Sequence, residues 1–423
     1  MKWLEKYGPW LLLFVVSAAY FKRFISPPDA GMFLYPQAAQ CMLDGQPIHT
    51  CAGAFTYPPT FAFVMTPFAL LPMGLRLVVW YVITVAAAVG AYRLCERVAA
   101  KLFVAPYGEV ELLWVRIVSL ILSVKFVLAV LENQAYDMLS FIFIMLGLAG
   151  LSSGRSIGGG AALGFAAAIK ATPLIFLPYL IVKKRFAAAA AMAVSLAVFC
   201  AAPDIFFTPQ GASEGYFMAW VHHIGGASLI DATQAQFNFW SGANWLNHSL
   251  RGAVSLRIDE VAHPALHKTV LYGLDLAFIA FAGALIMLRK ERRDMLAIDG
   301  SILVIATLML SPMTSRSHYA VMILPYVTLT MVVLRDTATR WIGIAVLAVS
   351  FFFLTATSND AVGQDVTNYA YAHSFLVIGA LTLLIYCAVI VWNPATLERE
   401  KPFTWDPLGW KTPQGMKSVS PSS

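Results

Sequence analysis

An acidic residue, Asp29, directly follows the first hydrophobic segment of the chain, within residues 26–31 (SPPDAG). Aspartate and glutamate together number only 23 in 423 residues, so a carboxylate at a predicted lipid–water boundary requires an explanation. One explanation is chemical, because a carboxylate there could take a proton from a hydroxyl nucleophile. The other is structural, because an aspartate at a helix start accepts hydrogen bonds from free N–H groups. The two roles are compatible.

Basic side chains that could act together with this acid are Lys170, Arg316 and His318. A membrane helix is predicted to break beside Lys170, since Pro173 removes a backbone donor and disfavours helix at the preceding residue. Irregular backbone at membrane depth is tolerated where it lines a cavity, which gives the Lys170 charge a place to face. Such cations could stabilise a phosphate leaving group while the carboxylate activates a hydroxyl. The combination predicts glycosyl transfer from a lipid-linked phosphosugar.

Aromatic and amide side chains fill the loops around these charges. Sugars are bound by such mixtures, because ring faces pack on C–H patches and amides hydrogen-bond to hydroxyl groups. Aromatic belts at membrane interfaces have the same composition, so the second large loop is either sugar-facing or lipid-facing. The residues expected to contact substrate are Tyr35, Tyr57, Glu132, Gln134, Asn244 and Asn247.

Three further cations have structural alternatives. Lys125 lies within a predicted span, and Glu132, about two turns later on the same helix, is its expected partner. Lys22 and Arg23 end the first span on the predicted external side, against the usual distribution of positive charge. They either extend to lipid phosphates or belong to the site.

The composition is that of a polytopic helical membrane protein. Hydrophobic residues make up 59% of the chain and charged residues 12%, about half the charge of a soluble domain. The net charge of +6 arises from short Lys/Arg clusters between apolar segments, which is typical of membrane topology rather than of nucleic-acid binding. The sequence has no Asp-x-Asp pair, Walker loop or His-Glu-x-x-His motif. We therefore expect no metal, cofactor or nucleic-acid partner.

The predicted fold is all-α. It has about twelve membrane segments, which include two half-helices that each cross only part of the bilayer. Residues 1–392 form the membrane domain, with external loops at about 27–72, 203–267 and 358–371. Residues 157–182 are interpreted as two half-helices, which keeps Arg155 and the basic cluster 183–185 on one side. Both termini are expected in the cytoplasm of a bacterium, in its inner membrane, with 393–423 as a disordered tail. The first span is too long for a cleaved signal.

Cys41 and Cys51 lie ten positions apart in the first external loop. They could form a disulfide if that loop faces an oxidising compartment, but spacing alone leaves the pairing open. Cys95, Cys200 and Cys387 fall in or beside predicted spans and are expected to act as small hydrophobic residues.

The order and spacing of several short motifs resemble glycosyltransferase family 87, membrane enzymes of the GT-C class that include mycobacterial polyprenol-phosphate-mannose-dependent mannosyltransferases. The resemblance covers most of residues 10–335. Its motifs are Asp29 with Tyr35, LDG at 43–45, FTYPP at 55–59, PF at 67–68, LP at 71–72, ENQ at 132–134, Gly164 with KATP at 170–173, NWLNHSLR at 244–251, and SP at 311–312 followed by HY at 318–319.

This resemblance implies an inverting hexosyltransferase, with mannose as the expected sugar, that uses a polyprenyl-phosphate sugar donor and a lipid or glycan acceptor at the external face. Asp29 matches the acid of the first external loop and would be the general base. His318 and Lys170 match family positions and would lie near the donor phosphate. Arg316 stands where the family often has an aromatic residue, and it is expected at the phosphate because of its charge. The sugar, the acceptor and the oligomeric state are not specified by these motifs.

A flippase or transporter of lipid-linked sugars is the alternative function. It predicts inverted repeats and charges spread along a path through the bilayer. The charges of this chain gather on one predicted face, which favours the enzyme. A non-catalytic scaffold, the third possibility, would not need Lys170 at a helix break.

Overall fold

The computed structural model describes residues 18–25, 31–211, 213–225, 244–288 and 294–393, together with residues 7, 8, 11, 15 and 397. Asp29 and most of the predicted tail therefore lie outside the described residues, as do residues 226–243 of the predicted second loop.

The regular elements of the described chain are helices, preceded by a helical stretch at 18–24. Helices α1–α10 are Gly31–Leu43, Ile48–Cys51, Pro59–Val64, Thr66–Ala69, Met73–Ala100, Glu109–Glu132, Asp137–Ser152, Ser156–Ile169, Phe176–Val182 and Phe186–Phe206. Helices α11–α19 are Tyr216–Trp220, Leu250–Ser255, Pro264–Met287, Leu296–Met309, Ile323–Arg335, Arg340–Phe351, Asn359–Val362, Gln364–Ala372 and Phe375–Trp392. Tighter 3-10 turns occupy Thr172–Ile175 and Arg316–Met322.

Within the described ranges, six helical segments are long and apolar enough to cross a membrane: α5, α6, α10, α13, Arg316–Arg335 and α19. Shorter apolar helices accompany them: Asp137–Ser152, Ser156–Ile169, Thr172–Val182, Leu296–Met309 and Arg340–Ala356. The predicted all-α, membrane-type architecture is confirmed. The total of about twelve membrane segments stays a prediction.

The segment Arg316–Arg335 forms the centre of the protein. In its most apolar stretch, 89% of the residues are buried inside the protein, compared with 22% in the corresponding stretch of α5. Helices α5, α6, α14 and α16 pack against α15. The 3-10 turn that begins this segment packs against α6, α7 and α14, which makes it a rigid support for the side chains of residues 315–318.

The predicted break at residues 170–173 is present. Helix α8 ends at Ile169, Lys170 has extended backbone angles (φ −152°, ψ 111°), and the turn Thr172–Ile175 leads into α9. Helix α8 packs closely on α10, where a Cβ atom at Gly164 would collide with the backbone of Met192. Small residues permit such close helix contacts in membranes. The break therefore follows from Pro173, and the glycine fixes the helix that precedes it.

The first large loop folds into α1–α4 and is tied to the turn between α6 and α7 by Gln134. The Gln134 side chain accepts from the Met32 N–H at 3.0 Å and donates to the Phe24 carbonyl at 2.6 Å. Its own carbonyl accepts from Trp80 Nε1 at 2.9 Å. Within the loop, the sulfurs of Cys41 and Cys51 are bonded, with a Cα–Cα distance of 6.0 Å. These links hold the loop against the membrane helices.

Candidate functional site

Asp137, the first residue of α7, is the buried carboxylate at the centre of the site. Its side chain is 4% exposed and forms an ion pair with Lys170 at the helix break. His318 Nε2 lies 3.7 Å from Asp137 Oδ1. The negative charge of Asp137 is favourable at a helix N-terminus as well as beside these two basic groups. A carboxylate, an ammonium and an imidazole thus meet at one point.

The orientation of the His318 ring follows from its other contact. The Ser315 N–H donates to His318 Nδ1 at 2.7 Å. A neutral imidazole that accepts at Nδ1 carries its proton on Nε2, the atom that faces Asp137. His318 therefore presents an N–H donor to the site.

A small cavity of about 20 Å³ opens between these groups. A water molecule needs roughly 10–15 Å³ of such space, so the cavity holds little more than one water in this conformation. Its lining combines charged and hydroxyl groups with an apolar wall. The lining residues are Asp137, Ser140, Ile144, Lys170, Thr172, Thr307, Leu308, Ser311, Thr314, His318 and Val321.

A second group of charged side chains surrounds Glu132, on the other side of the 3-10 turn that carries His318. Arg316 Nη2 is 2.9 Å from Glu132 Oε2, and Arg23 Nη1 is 3.2 Å from Glu132 Oε1. Arg23 also contacts Asp360 at 3.4 Å. The Arg316 side chain is 29% exposed, so it remains accessible to a ligand from outside. Glu132 is shared by two guanidinium groups.

The predicted contact between Lys125 and Glu132 is wrong. Lys125 Nζ donates to the Leu354 carbonyl at 3.0 Å instead of contacting Glu132. The physical reason is competition, because Glu132 is already held by two guanidinium groups that approach it from other elements.

Tyr35 and Tyr57 bring the first loop to the Asp137–Lys170 pair. Their rings contact edge to face, with centroids 5.7 Å apart, and the Tyr57 ring packs on Tyr136 at 4.7 Å. Lys170 Nζ lies 5.4 Å from the centre of the Tyr136 ring. Burial and the nearby charge of Asp137 raise the pKa of Tyr57. Both predicted substrate-contacting tyrosines are thus close to the charged centre.

Gly31, two residues along the chain from Asp29, is fixed beside this centre. Its N–H donates to the Asn133 carbonyl at 3.1 Å. A Cβ atom at position 31 would collide with the Gln134 carbonyl and the Tyr35 ring, so this close approach requires glycine. The chain that follows Asp29 therefore meets the α6–α7 turn that ends at Asp137.

The predicted amide residues of the second loop have different positions. Asn247 is 2% exposed, and its Oδ1 accepts from the Thr314 N–H at 3.0 Å while its Nδ2 donates to the Pro312 carbonyl at 3.0 Å. It therefore holds the 312–314 segment and is enclosed by protein. Asn244 Oδ1 accepts from the Leu246 N–H at 3.0 Å and does not line the cavity.

Asp137 is absent from the site predicted from the sequence, because it falls in an apolar span, although an acid three residues after Gln134 at a helix start is a usable signal. His248 belongs to the NWLNHSLR motif at 244–251. His248 is 2% exposed, and burial, reinforced by repulsion from Lys125 and Arg316, lowers its pKa to about 3. His248 is consequently neutral at pH 7 and adds no charge to the site.

The chain is similar to known glycosyltransferases. The family model described as glycosyltransferase family 87 matches residues 55–312. A polyprenol-phosphate-mannose-dependent alpha-(1-2)-phosphatidylinositol pentamannoside mannosyltransferase of Mycobacterium tuberculosis is 28% identical over 268 residues, which cover 63% of this chain and 56% of the relative. Its namesake from Mycolicibacterium smegmatis is 28% identical over 280 residues, covering 64% and 59%.

A third relative, an alpha-(1-2)-phosphatidylinositol mannoside mannosyltransferase of Mycobacterium tuberculosis that also depends on polyprenol-phosphate-mannose, is 25% identical over 327 residues. That alignment covers 71% of this chain and 70% of the relative. The chain spans somewhat more than half the length of the first two relatives, 56% and 59%.

Proposed function

This chain belongs to glycosyltransferase family 87, and from that premise we propose that it is a membrane glycosyltransferase with a polyprenyl-phosphate sugar as its donor. It transfers a hexosyl group, mannosyl by analogy with the named relatives, to a lipid or glycan acceptor. The reaction takes place at the external face of a bacterial inner membrane, with both termini in the cytoplasm. No metal is required.

The observation that carries this proposal is the arrangement of charge around the 315–318 turn. His318 faces Asp137 and Lys170 on one side, and Arg316 faces Glu132 on the other. Such a cluster beside apolar helices suits a ligand that is both anionic and lipid-linked. A polyprenyl phosphate has this combination of properties.

In the proposed reaction, Asp29 takes the proton of the acceptor hydroxyl as its oxygen attacks the anomeric carbon. The bond between that carbon and the donor phosphate oxygen breaks, and polyprenyl phosphate leaves with the electron pair. A single displacement inverts the anomeric configuration. Asp29 is assigned as the base because it matches the acid of the first external loop in the family motifs, and Gly31, two residues later, is anchored at the α6–α7 turn.

The leaving phosphate gains negative charge, and preorganised donors stabilise that charge most. His318 contributes its Nε2–H, Lys170 its ammonium, and Arg316 its partly exposed guanidinium. Lys170 and Arg316 are each held by an acid in this conformation, which keeps them oriented before the donor arrives. Donor binding then replaces part of the Arg316–Glu132 contact.

The remaining predicted residues divide into two roles. Tyr57 and Tyr35 border the charged centre and pack against the sugar or the rest of the donor. Glu132 and Asn244 contact the substrates farther from that centre. Gln134 and Asn247 act by positioning the first loop and the 312–314 segment, to which their side chains are bonded. Neither the comparisons nor the described part of the structure supports the flippase alternative.

The test uses the purified protein in nanodiscs with radiolabelled polyprenyl-phosphate-mannose or GDP-mannose and a phosphatidylinositol mannoside acceptor. We expect product from the polyprenyl-linked donor alone, in the presence of EDTA, with inverted configuration. Transfer from the nucleotide sugar, or retention of configuration, would overturn the proposal.

A further inference from the structure

A second polar cavity lies on the other side of the Ser311–Pro312 turn. Its volume is about 120 Å³, and it is enclosed by the first half of α13, by residues next to α12 and by the end of α14. A single water needs roughly 10–15 Å³ of such space, so this cavity has room for a small polyhydroxylated ring. Ser311 lines both this cavity and the one at Asp137.

One face of α13 supplies polar groups to this cavity. His267, Leu271 and Asp275 follow one another at four-residue intervals, so they share a helix face, and all three line the cavity. Helix α13 is long and apolar enough to cross a membrane. An aspartate in the interior of such a helix is costly and points to a function.

Two of the residues that line the cavity each have a buried polar atom without a hydrogen-bond partner in the described part of the chain. His267 is 1% exposed, and its Nε2 is bonded to Ser255 Oγ at 2.8 Å, while its buried Nδ1 has no hydrogen-bond partner among the described residues. The buried Asp275 Oδ1 also has no hydrogen-bond partner among the described residues. Buried polar atoms are normally hydrogen-bonded. A ligand with hydroxyl groups would satisfy both.

The charges of the cavity are balanced. Arg251 Nη2 is 2.8 Å from Glu260 Oε1, and Lys268 and Asp275 supply one further charge of each sign. An anionic ligand would meet two carboxylates, and a cationic ligand would meet a guanidinium and an ammonium. A neutral ligand avoids both repulsions. The apolar part of the lining, Leu271, Met309 and Leu310, suits the C–H face of a sugar.

We propose that this cavity binds an uncharged sugar unit of the acceptor glycan, away from the hydroxyl that is attacked. The assignment rests on the proposed glycosyl transfer, since it treats the cavity as an extension of that site across Ser311. Asp275 accepts from sugar hydroxyls, and His267 hydrogen-bonds through Nδ1. The site therefore determines affinity for the acceptor and not the chemical step.

Direct binding is measured by saturation-transfer NMR on the full-length protein in nanodiscs, with methyl α-mannopyranoside and tetramethylammonium as probes. The wild type is expected to bind the mannoside and not the cation. Asp275→Leu, an apolar change suited to a membrane helix, should weaken that binding about tenfold, the value of one hydrogen bond to a charged group. Leu274→Ala, on the exposed side of the same helix, should leave it unchanged.

Transfer kinetics complete the experiment. Asp275→Leu and the isosteric Asp275→Asn should raise KM for the acceptor about tenfold with kcat within about twofold. Mannoside binding that survives in both variants, an unchanged acceptor KM, wild-type binding of tetramethylammonium, or no wild-type mannoside binding at all would overturn the site. Wild-type mannoside binding without any transfer would instead contradict the proposed function and leave the site standing.

Discussion

Arg316 and His318 lie two residues apart on one 3-10 turn and contact different acids: Arg316 Nη2 is 2.9 Å from Glu132, and His318 Nε2 is 3.7 Å from Asp137. The turn begins the most buried of the span-length segments in the described chain. The contacts at Glu132 and at Asp137 are therefore coupled through a single rigid element. Small changes in this turn should affect both groups together.

Replacing His318 by alanine should reduce kcat by roughly 100- to 1000-fold, the usual cost of losing one preorganised donor to a developing charge. The fold should persist, because the hydrogen bonds of the ring, from the Ser315 N–H and with the Ser315 hydroxyl, are local to the turn. Transfer assays with the purified variant measure the effect. His373→Ala, at an exposed position after α18, is the matched control and should retain full activity. Equal activity of the two variants would remove His318 from the reaction.

Replacing Asp137 by asparagine should destabilise the protein by about 3–5 kcal/mol, because it leaves the Lys170 ammonium without its buried partner. The double variant Asp137→Asn/Lys170→Met should recover most of that stability and still lack activity. Thermal unfolding in detergent, compared with the exposed Asp365→Asn control, measures both effects. A single variant as stable as the wild type would show that the pair does not stabilise the fold.

His248 should make stability depend on pH. Burial lowers its pKa from 6.5 to about 3, so the unfolded chain binds a proton that the folded protein excludes between these values. Stability contributed by neutral His248 is present above pH 6.5 and is lost by about 1.4 kcal/mol per pH unit as the pH falls toward 3.

This dependence is checked by comparing unfolding midpoints of the wild type and His248→Phe between pH 7 and pH 4. The phenylalanine ring can keep the contact with Tyr371, whose centroid is 4.6 Å from that of His248. The variant should lose less stability on acidification, whereas the exposed His373→Phe control should follow the wild type. Parallel curves for His248→Phe and the wild type would contradict the assignment.

The Cys41–Cys51 bond should be detectable by thiol counting. Of the five cysteines, three are free, so maleimide–polyethylene glycol should modify three sites in the denatured protein without reductant and five after reduction. Because disulfides form in oxidising compartments, this result would also place the first loop outside the cytoplasm. Five reactive thiols before reduction would contradict both statements.

The sequence predicted those features that depend on residues adjacent in the chain. The break at Lys170 follows from Pro173, which acts on its own neighbours. The span-length helices follow from uninterrupted apolar sequence, although α5 continues beyond its apolar part to Ala100. The extension carries Arg93 and Arg97, whose charge marks the edge of the apolar part and not the end of the helix.

Contacts between distant segments were not predictable in the same way. Asp137 and Lys170 are 33 residues apart and pair because a helix start and a helix break meet in space. The predicted Lys125–Glu132 pair failed because Arg23 and Arg316 arrive at Glu132 from elsewhere in the chain. Which partner a charge selects depends on packing that the periodicity of a single helix does not encode.

The most direct test of the account is transfer by Asp29→Asn, which keeps the size of the side chain and removes its basicity. With radiolabelled polyprenyl-phosphate-mannose in nanodiscs, transfer should fall by at least about 100-fold, the typical contribution of a general base. The variant should unfold at the wild-type temperature, and Asp365→Asn should remain fully active. Undiminished transfer by Asp29→Asn would contradict the assignment of Asp29 as the base.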